Sequence, residues 1–301
     1  MFETKLFCLL FPRITRKMST SSNNVIIEKI GQITTIGINR PERRNCVDFN
    51  TATLIKDAIQ GFEEDDTSCA AVLYGTGGNF CSGFDLNELV DLDKNKDLEN
   101  VFKNGFMGIS SKYVKKPMVA AINGYAVAEG LELALMCDLR VMEETAVVGF
   151  YGRRFGIPLT DGAAVRLQAM VGLSRALDMV LTGRSLNAKE AFDWGVANRI
   201  VACGTALGQA INLASSLIKF PQDCLIVDRE STYNAAYNKA YDELMRYEQK
   251  NSKKVLRGVI EGAKKFISGL GRHGKTYNLT ERSICEWERE FSKEATPKSK
   301  L

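Results

Sequence analysis

The spacing of apolar residues changes period along this chain. From Val25, two short β-branched runs, Val25 to Ile30 and Ile33 to Ile38, are split by Gly31-Gln32, which predicts a hairpin. Arg40-Pro41 marks a turn, after which Leu54, Ile55, Ala58, Ile59 and Phe62 recur at helical spacing. Cys69 to Tyr74 is a compact apolar strand ending in Gly75, Gly77 and Gly78. The order then returns, with Pro117 to Ile122 as strand, Leu131 to Cys137 as helix and Leu139 to Met142 as strand, so the first two-thirds reads as an α/β fold. Past about Gly204 the pattern is almost entirely helical: Thr205 to Ile218, a long charged stretch from Asp223 to Gly258, then Val259 to Ile267, with Pro221 as a hinge. The expected organisation is a segment 1–24, a core 25–204, a helical region 205–285 and a tail 286–301.

Composition narrows the class. With 301 residues, 45% hydrophobic and 25% charged, the chain can bury one large core, which excludes disordered and fibrous proteins. The net charge of +4 is spread without a long basic block or aromatic-basic repeats, so a nucleic-acid partner is not expected, although a phosphate-bearing ligand would suit this charge. No apolar run is long enough to span a membrane. The eight cysteines (Cys8, Cys46, Cys69, Cys81, Cys137, Cys203, Cys224 and Cys285) form no C-x-x-C pair and read as free thiols in a reducing compartment. The single histidine, His273, lies in a Gly-rich basic stretch, Gly269 to Lys275, so no metal site is expected and a histidine-dependent triad has one weak candidate base.

Two segments carry candidate chemistry. In Ala120 to Asp138 a buried-looking strand meets a small-residue turn and a helix begins directly after it. Backbone N–H groups at such a helix start lack intrahelical partners and are ready donors to an oxyanion. Glu132 falls in the first turn within otherwise apolar sequence; desolvation there would raise its pKa toward a value useful for proton transfer, against the pull of the helix N-terminus. Its plain alternative is a solvated glutamate of a first helical turn. Asn79 to Leu89 is a second Gly-bearing turn leading from a strand toward a helix. Together the two turns could offer two N–H donors to one carbonyl oxygen, which is what a thioester enolate needs.

The ordered set N-R-P-E-R-R-N (Asn39 to Asn45), F-C-S-G-F-D-L (Phe80 to Leu86), N-G-Y-A-V-A-E-G-L-E-L-A (Asn123 to Ala134), C-D-L-R (Cys137 to Arg140) and L-T-G-R-x-L-x-A-x-E-A (Leu181 to Ala191) resembles the crotonase, or enoyl-CoA hydratase/isomerase, superfamily from about Val25 onward. The resemblance implies a spiral of repeated ββα units with a C-terminal helical region that mediates homotrimers, commonly paired into hexamers. It further implies an acyl-CoA thioester as substrate with no separate cofactor, hydrated or isomerised through an enolate in fatty-acid metabolism. Other chemistry of the superfamily, such as thioester hydrolysis or decarboxylation, and a non-catalytic acyl-CoA-binding role stay open beside it.

Carried across, the resemblance puts the oxyanion-hole donors on the backbone N–H groups of Phe84 and Glu129, the catalytic acid/base on Glu132, and contacts to the CoA thioester on Arg43, Arg44, Asp85 and Leu86. Two departures stand out. The second glutamate of hydratases falls at Gly152, which has no side chain, and Glu129 stands where the pattern has a glycine or another small residue. Asp161, in the loop Pro158 to Gly162, or Glu129 itself could replace the missing acid; Asp161 could equally cap the helix beginning near Ala163.

The ends point to compartments. Ser299-Lys300-Leu301 matches the tripeptide read by the peroxisomal import receptor. Met1 to Asn24, with Lys5, Arg13, Arg16 and Lys17 against Glu3, resembles a mitochondrial presequence, and Met18 offers a second start. A peroxisomal address is the leading expectation, with the mitochondrial matrix or both compartments as the alternative.

Overall fold

The computed structural model describes residues 24–88, 105–109, 113–152 and 157–237. His273, Cys8, Cys285, both terminal segments and the helices expected beyond Tyr237 lie outside them.

Strands β1 (Val25–Ile30) and β2 (Ile33–Ile38) pair antiparallel in the expected hairpin, Val25 opposite Ile38, with Gly31 turning at φ 60°. Every later addition to this sheet is parallel: β3 (Ala70–Gly75) on β2, β4 (Met118–Ile122) on β3, β6 (Leu139–Glu143) on β4 and β9 (Arg199–Val201) on β6. The order β1-β2-β3-β4-β6-β9 leaves β2 and β4 wholly buried and β3 nearly so, which is why their sequences are continuous apolar runs instead of alternating ones. A second sheet, β5-β7-β8, is made of Tyr125–Val127, Val147–Gly149 and Ser185–Asn187. Three residues per strand are too few to register as a period in sequence.

Helices cover both faces of the main sheet. Helix α1 (Phe49–Glu64) starts where the Asp48 carboxylate accepts the Thr51 N–H at 2.7 Å, and it packs Ile55, Ile59 and Phe62 into the core that holds Ile36, Ile38 and Leu73. Helix α2 (Glu129–Met136) is buried along its whole length. Then follow α3 (Ala163–Val171), α4 (Leu173–Thr182), α5 (Ala188–Asp193), α6 (Ala206–Leu217) and α7 (Gln222–Tyr237). On the opposite face, Ala206, Ala210 and Ala214 of α6 lie against Ile33, Val72, Val119 and Val141. Small side chains at every fourth position let α6 approach the sheet closely, so the helix opening the expected C-terminal region is part of the core packing.

The C-D-L-R motif is a structural lock. The Arg140 guanidinium, 3% exposed, donates to the carbonyls of Val196 (2.5 Å), Cys137 (2.6 Å) and Asp138 (3.2 Å). Asp138 accepts the Met118 N–H at 2.8 Å, the Arg229 Nε–H at 2.7 Å and the Tyr233 hydroxyl at 2.8 Å, tying α7 to the edge of β4.

Candidate active site

Two turns meet backbone to backbone. Phe80 donates to the Asn123 carbonyl (2.8 Å), Cys81 to Tyr125 (3.0 Å), and Val127 back to Cys81 (3.0 Å), so the stretch before Gly83 runs alongside β5. The approach admits no side chain at Gly130, where a Cβ would lie 2.2 Å from the Cys81 carbonyl oxygen. Gly83 has φ +105°, and a Cβ there would come within 2.7 Å of Glu129 Oε2 and 2.9 Å of the Ala128 Cβ. Ala128 itself is at φ 53°, which reverses the chain so that α2 begins at Glu129, two residues before the start expected from the apolar pattern.

Both expected N–H donors therefore come to one place, but that place is filled. Glu129, 6% exposed, turns its carboxylate back so that Oε2 accepts the Phe84 N–H at 2.9 Å. Burial raises the Glu129 pKa; the backbone N–H groups of Phe84 and of Glu129 itself oppose this, and the Asp161 charge adds to the rise.

Glu132, 1% exposed, is not a solvated first-turn residue. Its Oε2 accepts the backbone N–H of Asp161 at 2.8 Å and of Ala163 at 3.0 Å, so a side chain from α2 caps the start of α3. Its Oε1 is buried with no hydrogen-bond partner among the described residues. Burial drives the pKa of Glu132 to about 8; the Ala163 and Asp161 N–H groups oppose the rise while the charges of Asp161 and Glu129 reinforce it. A carboxyl in this state is mainly neutral at pH 7 and still able to give up its proton.

Asp161, wholly buried, accepts the Met107 N–H (3.2 and 3.4 Å to its two oxygens) and the Thr160 hydroxyl (3.0 Å). It does not cap α3, whose N-cap is Gly162 at φ 94°. Its side chain instead pins the loop that holds Glu132 to the segment 105–107. Glu129, Glu132 and Asp161 thus form a cluster of three buried carboxyl groups. At Gly152, where the resemblance puts the second glutamate of hydratases, a Cβ would press on the Ile157 carbonyl oxygen and Cβ at 3.3 Å.

Arg43, Arg44, Asp85 and Leu86 gather near the mouth of the first turn. Asp85, 7% exposed, accepts from Arg43 at 3.4 Å and Arg40 at 3.5 Å, and the Cys46 thiol lies 3.6 Å from it. Burial works against the Asp85 charge, yet the Asn87 N–H and amide, the Cys46 thiol and Arg40 together hold its pKa below the usual carboxylate range. The Arg44 guanidinium lies over the Tyr125 ring, 5.9 Å from its centroid, and Leu86 is 47% exposed. Sequence reasoning missed Arg40, which also pairs with Asp48 at 3.1 Å, and Asn45, whose amide donates to the carbonyls of Thr76 (2.8 Å) and Asn79 (2.6 Å). Both stand in N-R-P-E-R-R-N, but nothing in the spacing tells a loop arginine that is buried from one that is solvated. A cavity of about 350 Å³ opens beside the Glu132-holding loop, lined by Thr160, Gly162, Met136, Val165, Tyr113 and Tyr233 among others.

A family model described as enoyl-CoA hydratase/isomerase matches residues 28–268. The chain is 32% identical over 196 residues, 65% of its own length and 73% of the relative's, to the mevalonyl-coenzyme A hydratase of Aspergillus fumigatus. It is 29% identical over 225 residues, 74% of its length and 79% of the relative's, to a probable mitochondrial enoyl-CoA hydratase of Dictyostelium discoideum. Among solved structures, an enoyl-CoA hydratase subunit of Geobacillus kaustophilus superposes with a TM-score of 0.75 at 30% identity, covering 81% of this chain and 95% of that one. The α/β architecture, the paired turns and these matches agree: the chain belongs to the enoyl-CoA hydratase/isomerase family, with the crotonase fold, and is an enzyme of that kind working on acyl-CoA thioesters.

Proposed function

We propose that the protein hydrates or isomerises an enoyl-CoA through a thioester enolate, with Glu132 carrying the proton. The observation that carries this reading is the state of Glu132, buried and mainly neutral, with one oxygen fixed by two backbone N–H groups and the other unpaired. In hydration, the neutral carboxyl gives its proton to the carbon next to the thioester while hydroxide from water adds one carbon further on. Gly152 offers no acceptor for the proton that water loses, which leaves Asp161 or Glu129 for that part. In isomerisation the ionised form removes a proton from the carbon next to the thioester of a 3-enoyl substrate and returns it two carbons along. The N–H groups of Phe84 and Glu129 serve the enolate oxygen, and Asp161 acts on Glu132 through its charge.

Arg43 and Arg44, with Asp85 and Leu86, line the CoA side of this site, and the cavity beside Thr160 and Gly162 takes the acyl chain. The CoA thioester is the substrate, and no separate cofactor or metal is invoked. The A. fumigatus and D. discoideum relatives, both named as CoA hydratases, support hydration over isomerisation. A panel of 2-trans- and 3-enoyl-CoA thioesters tests this: loss of the conjugated enoyl absorbance reports hydration, and its gain from 3-enoyl substrates reports isomerisation.

A second reading, an acyl-CoA-binding protein without turnover, is favoured by one observation, the Glu129 carboxylate on the Phe84 N–H. Binding with no absorbance change on any substrate would support it or another thioester reaction such as hydrolysis or decarboxylation, and an assay for free CoA and for carbon dioxide separates these.

Assembly and location are further proposals. Leu173, Leu177 and Leu181, exposed by 61%, 41% and 68% along one face of α4, support a homotrimer or hexamer, which light scattering of the purified protein tests. Ser299, Lys300 and Leu301 support recognition by the peroxisomal import receptor, whereas the mitochondrial name of the D. discoideum relative supports the alternative. Imaging a fluorescent fusion with and without Leu301 separates the two.

A further inference from the structure

The reading above gives the Phe84 N–H to an incoming thioester oxygen, but in this structure that donor is already engaged. Three observations place the engagement beyond a chance side-chain rotamer. The bond is 2.9 Å long inside a site where Glu129 is only 6% exposed. Gly83 leaves the carboxylate its room, since a Cβ there would sit 2.7 Å from Glu129 Oε2. The reversal at Ala128, φ 53°, brings the first residue of α2 directly under the neighbouring turn, and the Glu129 N–H acts on the same carboxylate.

We propose that Glu129 is a specificity-determining gate: its carboxylate is a resident occupant of the oxyanion site, which a thioester carbonyl must displace before it can be activated. A carboxylate oxygen and an enolate oxygen carry comparable charge and want the same donor, whereas a neutral ground-state carbonyl is the weaker competitor. The gate therefore weakens binding of an acyl-CoA in its ground state and opens fully only to ligands that develop charge on the thioester oxygen. A ligand with the same CoA and chain but no carbonyl has nothing to gain from opening it.

The inference rests on the acyl-CoA reading, and the test keeps their failures apart. Dissociation constants are measured calorimetrically for butyryl-CoA, a saturated thioester, and for its thioether analogue S-butyl-CoA, on the wild-type protein and on Glu129→Ala and Glu129→Gln. The quantity read is the thioester-to-thioether affinity ratio within each sample, so partial misfolding of a variant cancels. For the wild type the ratio is expected near unity. For Glu129→Ala it rises by up to about tenfold, the upper end of what one hydrogen bond between neutral groups contributes. In Glu129→Gln the amide oxygen can still take the Phe84 N–H, and the ratio lies between the two. A ratio unchanged or lowered in Glu129→Ala overturns the gate while leaving the acyl-CoA reading intact. Binding of neither ligand by any of the three proteins overturns the acyl-CoA reading and the gate with it.

Discussion

The Glu132 carboxylate caps the start of the helix that begins at Ala163: the Ala163 N–H donates to Oε2 at 3.0 Å, while Oε1 of the same group is buried and unpaired. One oxygen is thus spent on structure and fixes the aim of the other. Such a group is positioned without a dedicated neighbour, and its charge state becomes part of the stability of the fold.

Stability should accordingly fall as pH rises from about 5 to about 8. Burial pushes the Glu132 pKa up to about 8 in the folded chain from the ordinary glutamate value of 4.5, so between these values the folded state holds a proton that the unfolded state has lost. The slope attributable to this group is at most about 1.4 kcal/mol per pH unit, and it vanishes above the folded pKa. Denaturant titrations of wild type and Glu132→Gln at several pH values check this; the variant should lack that component of the slope.

Asp161 raises the Glu132 pKa through its charge, so Asp161→Asn should move the alkaline limb of the rate profile toward lower pH. Rate against pH from 6 to 9 measures it. Asp161→Ala also removes the acceptor of the Met107 N–H and should destabilise the fold by about 1–3 kcal/mol.

Gly83→Ala tests the joint between the two turns. The added Cβ meets Glu129 Oε2 at 2.7 Å and the Ala128 Cβ at 2.9 Å, at a backbone angle unfavourable to any other residue. Chemical denaturation should show a loss of about 1–3 kcal/mol, with thioester binding impaired beyond what the unfolded fraction explains.

Arg140 contributes to the fold away from the site. Arg140→Ala strands the buried carbonyls of Val196 and Cys137 and should cost about 1–3 kcal/mol for each by thermal or chemical unfolding, with catalytic competence per folded molecule retained.

The fold was largely legible because its parallel strands are buried on both faces and so appear as unbroken apolar runs: β2, β3 and β4 fall within a residue of where the pattern puts them. The strands β5, β7 and β8 were not, since three residues show no period. At the site, Glu132 declared itself as an acid within otherwise apolar sequence at the start of a helix. Its cap on Ala163 did not, because that contact joins residues 31 apart and is set by how two helices pack. Glu129 was visible as a departure from the family pattern, but the direction its carboxylate takes depends on Ala128 lying at positive φ, which no propensity foretells.

The central measurement is turnover of wild-type protein and Glu132→Gln on 2-trans- and 3-enoyl-CoA thioesters, followed by the conjugated enoyl absorbance. The substitution keeps an acceptor for the Asp161 and Ala163 N–H groups but removes the transferable proton, so kcat should drop by about 10²–10⁴-fold with KM little changed. Full activity in Glu132→Gln would contradict the assignment of proton transfer to Glu132.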